Sequence, residues 1–140
     1  MPINDRGVAP AGVEVITDWP PNIEQAREKF PITPDVIFTY APAIYVPSGN
    51  ALSKALMAHE LVHIRQQGAD PEGWWARYLE DPEFRLEMEL PAHKMEFRTF
   101  CRVYRDRNKQ AHARNQIARR LSGPLYGGLI SYTKAKKELT

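Results

Sequence analysis

Hydrophobic residues come in short β-branched and aromatic runs over the first fifty positions and at helical spacing afterwards. "VEVI" (13–16), "DVIFTY" (35–40) and "AIYVP" (43–47) have the composition of strands, and the "AP" between the last two predicts a hairpin or two sheet strands. "NIEQAREKF" (22–30) predicts a short helix, capped by Asn22 and followed by Pro31. Eight of the twelve prolines lie before residue 50, which keeps long helices out of this part. From residue 51 the pattern is helical. One helix is expected over 51–67, stopped by Gly68 as a left-handed cap. Asp70–Pro71 and Asp81–Pro82 each start another, and the second runs to about residue 106 with Pro91 as a kink or break. Further helices are expected over 110–121 and 131–139, with "YGG" (126–128) in a loop between them. The expected architecture is α+β in one domain, residues 1–140: a strand-rich part, 1–50, and a helical part, 51–140.

Composition narrows the class. A 43% hydrophobic and 26% charged chain of 140 residues can bury a real core. The single cysteine, Cys101, excludes an internal disulfide and a zinc site of several thiolates, and it fits a reducing compartment. The N-terminal stretch lacks an apolar segment behind a basic start, and no run approaches the roughly 20 apolar residues of a membrane helix. A soluble, cytoplasmic protein with no membrane partner is the expectation.

The stretch "ALMAHELVHIRQQGAD" (55–70) carries the chemistry. His59-Glu60-Leu61-Val62-His63 is an HExxH sequence. Residues four apart share one face of a helix, so both imidazoles can reach one zinc ion. Glu60 lies ~100° round the helix from His59, where it can take a proton from water that the metal activates. Such a string also arises by chance on ordinary helices. Here Leu52, Ala55 and Leu56 share the histidine face, and two buried histidines without partners would be costly. Catalytic zinc takes three protein ligands. Gln66 and Ala69 stand where a metzincin has Gly and His, which excludes that class. Downstream, "FRLEMELPAHKMEF" offers Glu87, Glu89, His93 and Glu96.

"HELVH" followed by "ELPAH" resembles the gluzincin group of zinc metallopeptidases, which pair HExxH with a glutamate ligand on a second helix. The resemblance implies a zincin-like fold, Glu89 as third ligand, and a protein or peptide substrate. It puts His93 where the group has a carboxylate behind the ligands, a departure from the pattern. The HExxHxxQQ spacing and "WWARY" (74–78) are also similar to small HExxH proteins encoded by tailed phages, over roughly residues 40–130. In zincins the strand before the active helix, here "AIYVPSG" (43–49), pairs with an extended substrate.

Other features have plain readings beside functional ones. Gln66 and Gln67 end the active helix, as hydrogen-bonding partners of a ligand or as solvated residues. Trp74, Trp75 and Tyr78 are expected in the core, packing two helices. Tyr126 is a turn anchor or a stabiliser of an oxyanion. Lys94, Arg98, Arg102, Arg105 and Lys109 step by three or four, and the segment 94–120 holds nine Lys and Arg against two acids. A solvated outer face is the favoured reading of that stripe. Nucleic acid is the alternative, and it would suit a DNA-associated SprT-like protease whose third ligand is His93 or His112. A metal-binding interaction module without catalysis is the reading from a different class.

Overall fold

The computed structural model describes residues 3–140. Three short strands, β1 (Glu14–Ile16), β2 (Phe38–Tyr40) and β3 (Ala43–Tyr45), form a sheet of order β1-β3-β2. β3 is central: it pairs parallel with β1 and antiparallel with β2, Ile44 standing opposite both Val15 and Thr39. Helix α1 (Ile23–Lys29) lies between β1 and β2 in the chain, and α2 (Lys54–Gln67), α3 (Pro71–Glu80), α4 (Pro82–Val103), α5 (Arg107–Leu121) and α6 (Tyr132–Glu138) follow. The fold is α+β, a small N-terminal sheet and a helical majority, as the patterning predicts. No helix among the described residues is long and apolar enough to cross a membrane.

The helix ends follow local chemistry. Ser53 accepts from the Leu56 amide to start α2, so α2 begins at Lys54 rather than 51. Gly68 ends it with φ 55° and ψ −125°, a positive φ as expected but a ψ outside the left-handed helical region. Asp70 and Asp81 cap the two Asp-Pro helices. α4 runs unbroken through Pro91, whose lost hydrogen bond costs about 3 kcal/mol. Burial of the α4 face against α2 and α5 outweighs it. α4 stops at Val103 because Asp106 is the cap of α5, accepting from the Asn108 and Lys109 amides. Asn22 stands at the cap position of α1, but its side chain makes no capping bond.

Three apolar clusters build the core. Trp74, Trp75, Tyr78 and Phe84 pack with Ala26 and Phe38 between α3, α4, α1 and the sheet. Ile44, Val46, Leu52 and Met57 join the sheet to α2. Ile117, Ala118, Leu121, Ala135 and Leu139 join α5 to α6, with Leu90 and Phe97 of α4 against them. Between these clusters α2 lies against α4, the most extensive helix packing among the described residues.

Candidate metal centre

The α2–α4 contact brings the sequence-predicted residues together. From α2 come His59, Glu60 and His63; from α4 come Glu89 and His93; none is more than 5% exposed. Glu89 Oε1 lies 3.4 Å from His59 Nε2 and 3.2 Å from His63 Nε2. Glu87, two residues earlier, points to solvent.

Each histidine is held from behind. His59 Nδ1 meets Glu96 Oε1 at 2.8 Å, and His63 Nδ1 meets Gln66 Oε1 at 2.8 Å. Both acceptors are oxygens, so each Nδ1 carries a proton, and each Nε2, turned towards Glu89, is the nitrogen left for a metal. Gln66 is fixed in turn by donating to the Met88 carbonyl at 2.9 Å. Glu96 is fixed by an ion pair with Arg120 of α5. On Glu89, Oε2 accepts from the Tyr78 hydroxyl, and Oε1 is the oxygen that faces the histidines.

This geometry fits a metal ion. Zinc with bonds of ~2.0–2.1 Å and tetrahedral angles places its donors about 3.3 Å apart, as the two Nε2–Oε1 distances do. Charge agrees. Glu60, Glu89, Glu96 and Arg120 meet here, three negative charges against one positive. One dication balances them with both imidazoles neutral. The alternative is two imidazolium rings 5.0 Å apart in a buried site. Without a metal, the residues take the balance as protons. Burial opposes a charge on His59, but Glu60, Glu89 and Glu96 outweigh it and raise its pKa to about 10. His63 is raised too, burial being outweighed by Glu89. Glu89 is held well below the carboxylate range, because His63 and His59 overcome its burial.

Glu60 flanks the pair. Its Oε1 accepts from the Thr39 hydroxyl at 3.0 Å, and its Oε2 lies 3.8 Å from His59 Nε2. Burial raises its pKa, against the pull of His59 and His63. A cavity of about 60 Å³ opens beside it, bounded by Thr39, Tyr78, Tyr126 and the apolar side chains of Phe30, Val36, Phe38 and Leu125.

Two expectations change. His93 does not take the place behind His59; Glu96 does, one turn further along α4. The His93 ring packs edge-on against His59 at 4.6 Å, with its Nδ1 2.7 Å from the Glu89 carbonyl and its buried Nε2 without a partner. Burial and then His59 press its pKa down to about 3. The strand 43–49 cannot pair with a substrate either. β3 is occupied on both sides, and at β2 the Thr39 carbonyl accepts from Gln67 Nε2 and Trp75 Nε1, each at 2.8 Å. β3 therefore has no free edge, and on β2 the carbonyl nearest the cleft is taken.

Tyr126, at the end of a 3-10 turn (Pro124–Tyr126), stands edge-on to His93 at 5.2 Å. Its hydroxyl finds no hydrogen-bond partner among the described residues, and Arg85 holds its carbonyl at 3.1 Å. His112, exposed on α5, lies outside the cluster with Gln116 as its neighbour. Lys94 to Lys109 is not one helical stripe, because α4 ends between Arg102 and Arg105.

Sequence reasoning missed Thr39, Tyr78 and Arg120 as supports, and treated Glu96 only as a ligand candidate. The spacing of Glu96 carried a signal: seven residues after Glu89 is two helical turns, on the same face. Arg120 is 24 residues from Glu96 and carried none. No family model, curated protein or solved structure matches this chain.

Proposed function

We propose that the chain is a zinc-dependent peptide hydrolase with a zincin-like fold, His59, His63 and Glu89 holding the ion and Glu60 serving as general base. One observation carries the reading. Two imidazoles with their Nδ1 atoms tied back turn their Nε2 atoms to one carboxylate oxygen, at 3.4 and 3.2 Å. Zinc in that place supplies Lewis acidity, lowering the pKa of water to about 7 and polarising a carbonyl.

The chain's own groups do the remaining work. Thr39 pins one oxygen of Glu60 and leaves the other to accept a proton. The raised pKa of Glu60 moves it towards the working range of a base. The unengaged Tyr126 hydroxyl is suited to donate to an oxygen that gains charge. Gln66 and Glu96 hold the histidines in the tautomer that a metal needs. The apolar walls exclude water and suit an apolar substrate side chain. With β3 paired on both sides and the Thr39 carbonyl of β2 engaged, the substrate is held by side-chain contacts rather than by addition to β3.

A second reading rests on the unpartnered Nε2 of His93. His59, Glu89 and His93 form one set close enough to hold a metal, and His59, Glu60 and His63 form another; a SprT-like site would join His93 to His59 and His63 in place of Glu89. The small size of the cavity favours a third, the metal-binding module without catalysis.

Zinc titration and cleavage of unfolded casein separate the three. The hydrolase cleaves casein with about one zinc per chain, and Glu60→Gln keeps the zinc while turnover falls by about 10² or more. Loss of zinc in His93→Ala but not in Glu89→Ala selects the histidine ligand. Zinc bound with no cleavage of casein or of a peptide library selects the binding module.

A further inference from the structure

Charge is divided sharply along this chain. Residues 94–140 hold twelve Lys and Arg against three acids, and residues 1–93 hold seven against fourteen. The fold gathers the basic excess where the end of α4 meets α5 and α6. A hollow of about 360 Å³ is bounded by Arg98 and Cys101 of α4 and by Thr140. A second, of about 440 Å³, is bounded by Arg114 of α5, Lys136 and Lys137 of α6, and again Thr140. The two hollows meet at that residue. Arg105 and Arg114 both stand near enough to Cys101 to act on its thiol, which closes the circuit between the helices.

Internal pairing does not use up this charge. Lys94 is paired with Glu138 at 3.2 Å and Arg120 with Glu96. Among the described residues, no acid pairs with Arg98, Arg102, Arg105, Arg114, Lys136 or Lys137. Soluble surfaces ordinarily intersperse both signs, and like charges gathered on one face repel one another and cost stability. The sequence pattern showed the basic excess of residues 94–120. The packing adds Lys136 and Lys137 of α6 to it.

The kind of partner follows from what the surface has and lacks. Four of the six free cations are arginines, whose planar forks match phosphate oxygens two at a time. A protein partner would call for an apolar anchor near the centre of the patch. Phe97, Leu139 and Tyr132 line the two hollows but are buried or half-buried in the core between α4, α5 and α6, and among the described residues the exposed large hydrophobic ones, Ile3, Val8 and Val15, all lie in the N-terminal segment.

We propose that the face formed by the end of α4, α5 and α6 binds the phosphate backbone of nucleic acid, without reading its sequence. The proposal stands independently of the hydrolase reading, since it uses none of the residues of the metal centre.

The test is fluorescence anisotropy of the full chain with a labelled 20-base-pair duplex of mixed sequence, over a salt series. Five or six neutralised phosphates give a slope of log affinity against log salt of about −5. Arg98→Glu combined with Lys137→Glu lowers affinity at least tenfold and flattens the slope by about 2. Lys29→Glu combined with Arg65→Glu, exposed cations on α1 and α2, changes neither. If the reversed pair melts lower than the parent, Arg98→Ala with Lys137→Ala gives the same flattening without added repulsion. Three results overturn the proposal. One is no binding at 50 mM salt. Another is equal weakening by the α1 and α2 changes. The third is displacement of the duplex by polyglutamate at equal charge, which assigns the face to an acidic polypeptide.

Discussion

Replacing Glu96 by glutamine isolates the support behind His59. The change keeps the shape and an oxygen for His59 Nδ1, and removes the charge that faces both that imidazole and Arg120. Two effects are expected. The first is on the zinc-free fold. Burial opposes the Glu96 carboxylate, yet Arg120 and His59 hold its pKa at about 2 against an ordinary 4.5. At about 1.4 kcal/mol per unit, that difference is worth roughly 3 kcal/mol at neutral pH. The figure agrees with the ~3–5 kcal/mol cost of breaking a buried ion pair. The second effect is on metal. Outer partners of ligating histidines typically contribute 10- to 100-fold in affinity, about 1.4–2.7 kcal/mol. Urea unfolding in chelator reads the first, and competition with a chromogenic chelator reads the second. Glu87→Gln, at an exposed position on the same helix, should change neither. Lost stability with unchanged zinc affinity would refute the reasoning: Glu96 would then brace Arg120 alone.

The zinc-free protein should be most stable near pH 6.5. His59, raised to about 10, contributes stability that is complete below 6.5 and is lost as pH rises through 10. His93, held near 3, refuses a proton that the unfolded chain accepts below 6.5, so stability is lost as pH falls from there towards 3. Glu96 adds to that acid loss between 4.5 and 2. Urea midpoints in chelator at pH 5, 6.5 and 9 check this, and a midpoint that climbs steadily to pH 9 contradicts it. Tyr78→Phe removes the donor to Glu89 Oε2 and should weaken zinc binding by about tenfold; unchanged affinity means that Glu89 needs no such anchor. Reversing Arg98 and Arg102 to Glu should leave casein cleavage largely intact, because neither residue lines the cavity.

Much of this structure was legible because its signals are local. Asp-Pro at 70–71 and 81–82 marked both helix starts, and the capping aspartates do what the pairing implies. His59 and His63 share a face because helical spacing requires it. The order of the strands was not legible. β3 lies between β1 and β2 through pairings across the chain, and no period in the sequence encodes them. That is why the strand expected to receive substrate is the one with no free edge. The supports of the site divide in the same way. Gln66 is one turn from His63 and was singled out, whereas Thr39 and Arg120 reach Glu60 and Glu96 from 21 and 24 residues away. Tyr78 was read as core, and it is; its hydroxyl serves Glu89 as well. A patterning argument sees only the ring.

Zinc titration of the wild-type chain beside Glu89→Ala and Glu87→Ala tests the central claim most directly. Both variants remove a carboxylate from α4, but only Glu89 meets the two histidine nitrogens. The account predicts about one zinc per chain in the wild type and in Glu87→Ala, and a large loss of affinity in Glu89→Ala. Zinc bound as tightly by Glu89→Ala as by the wild type, or not bound by the wild type at all, would contradict it.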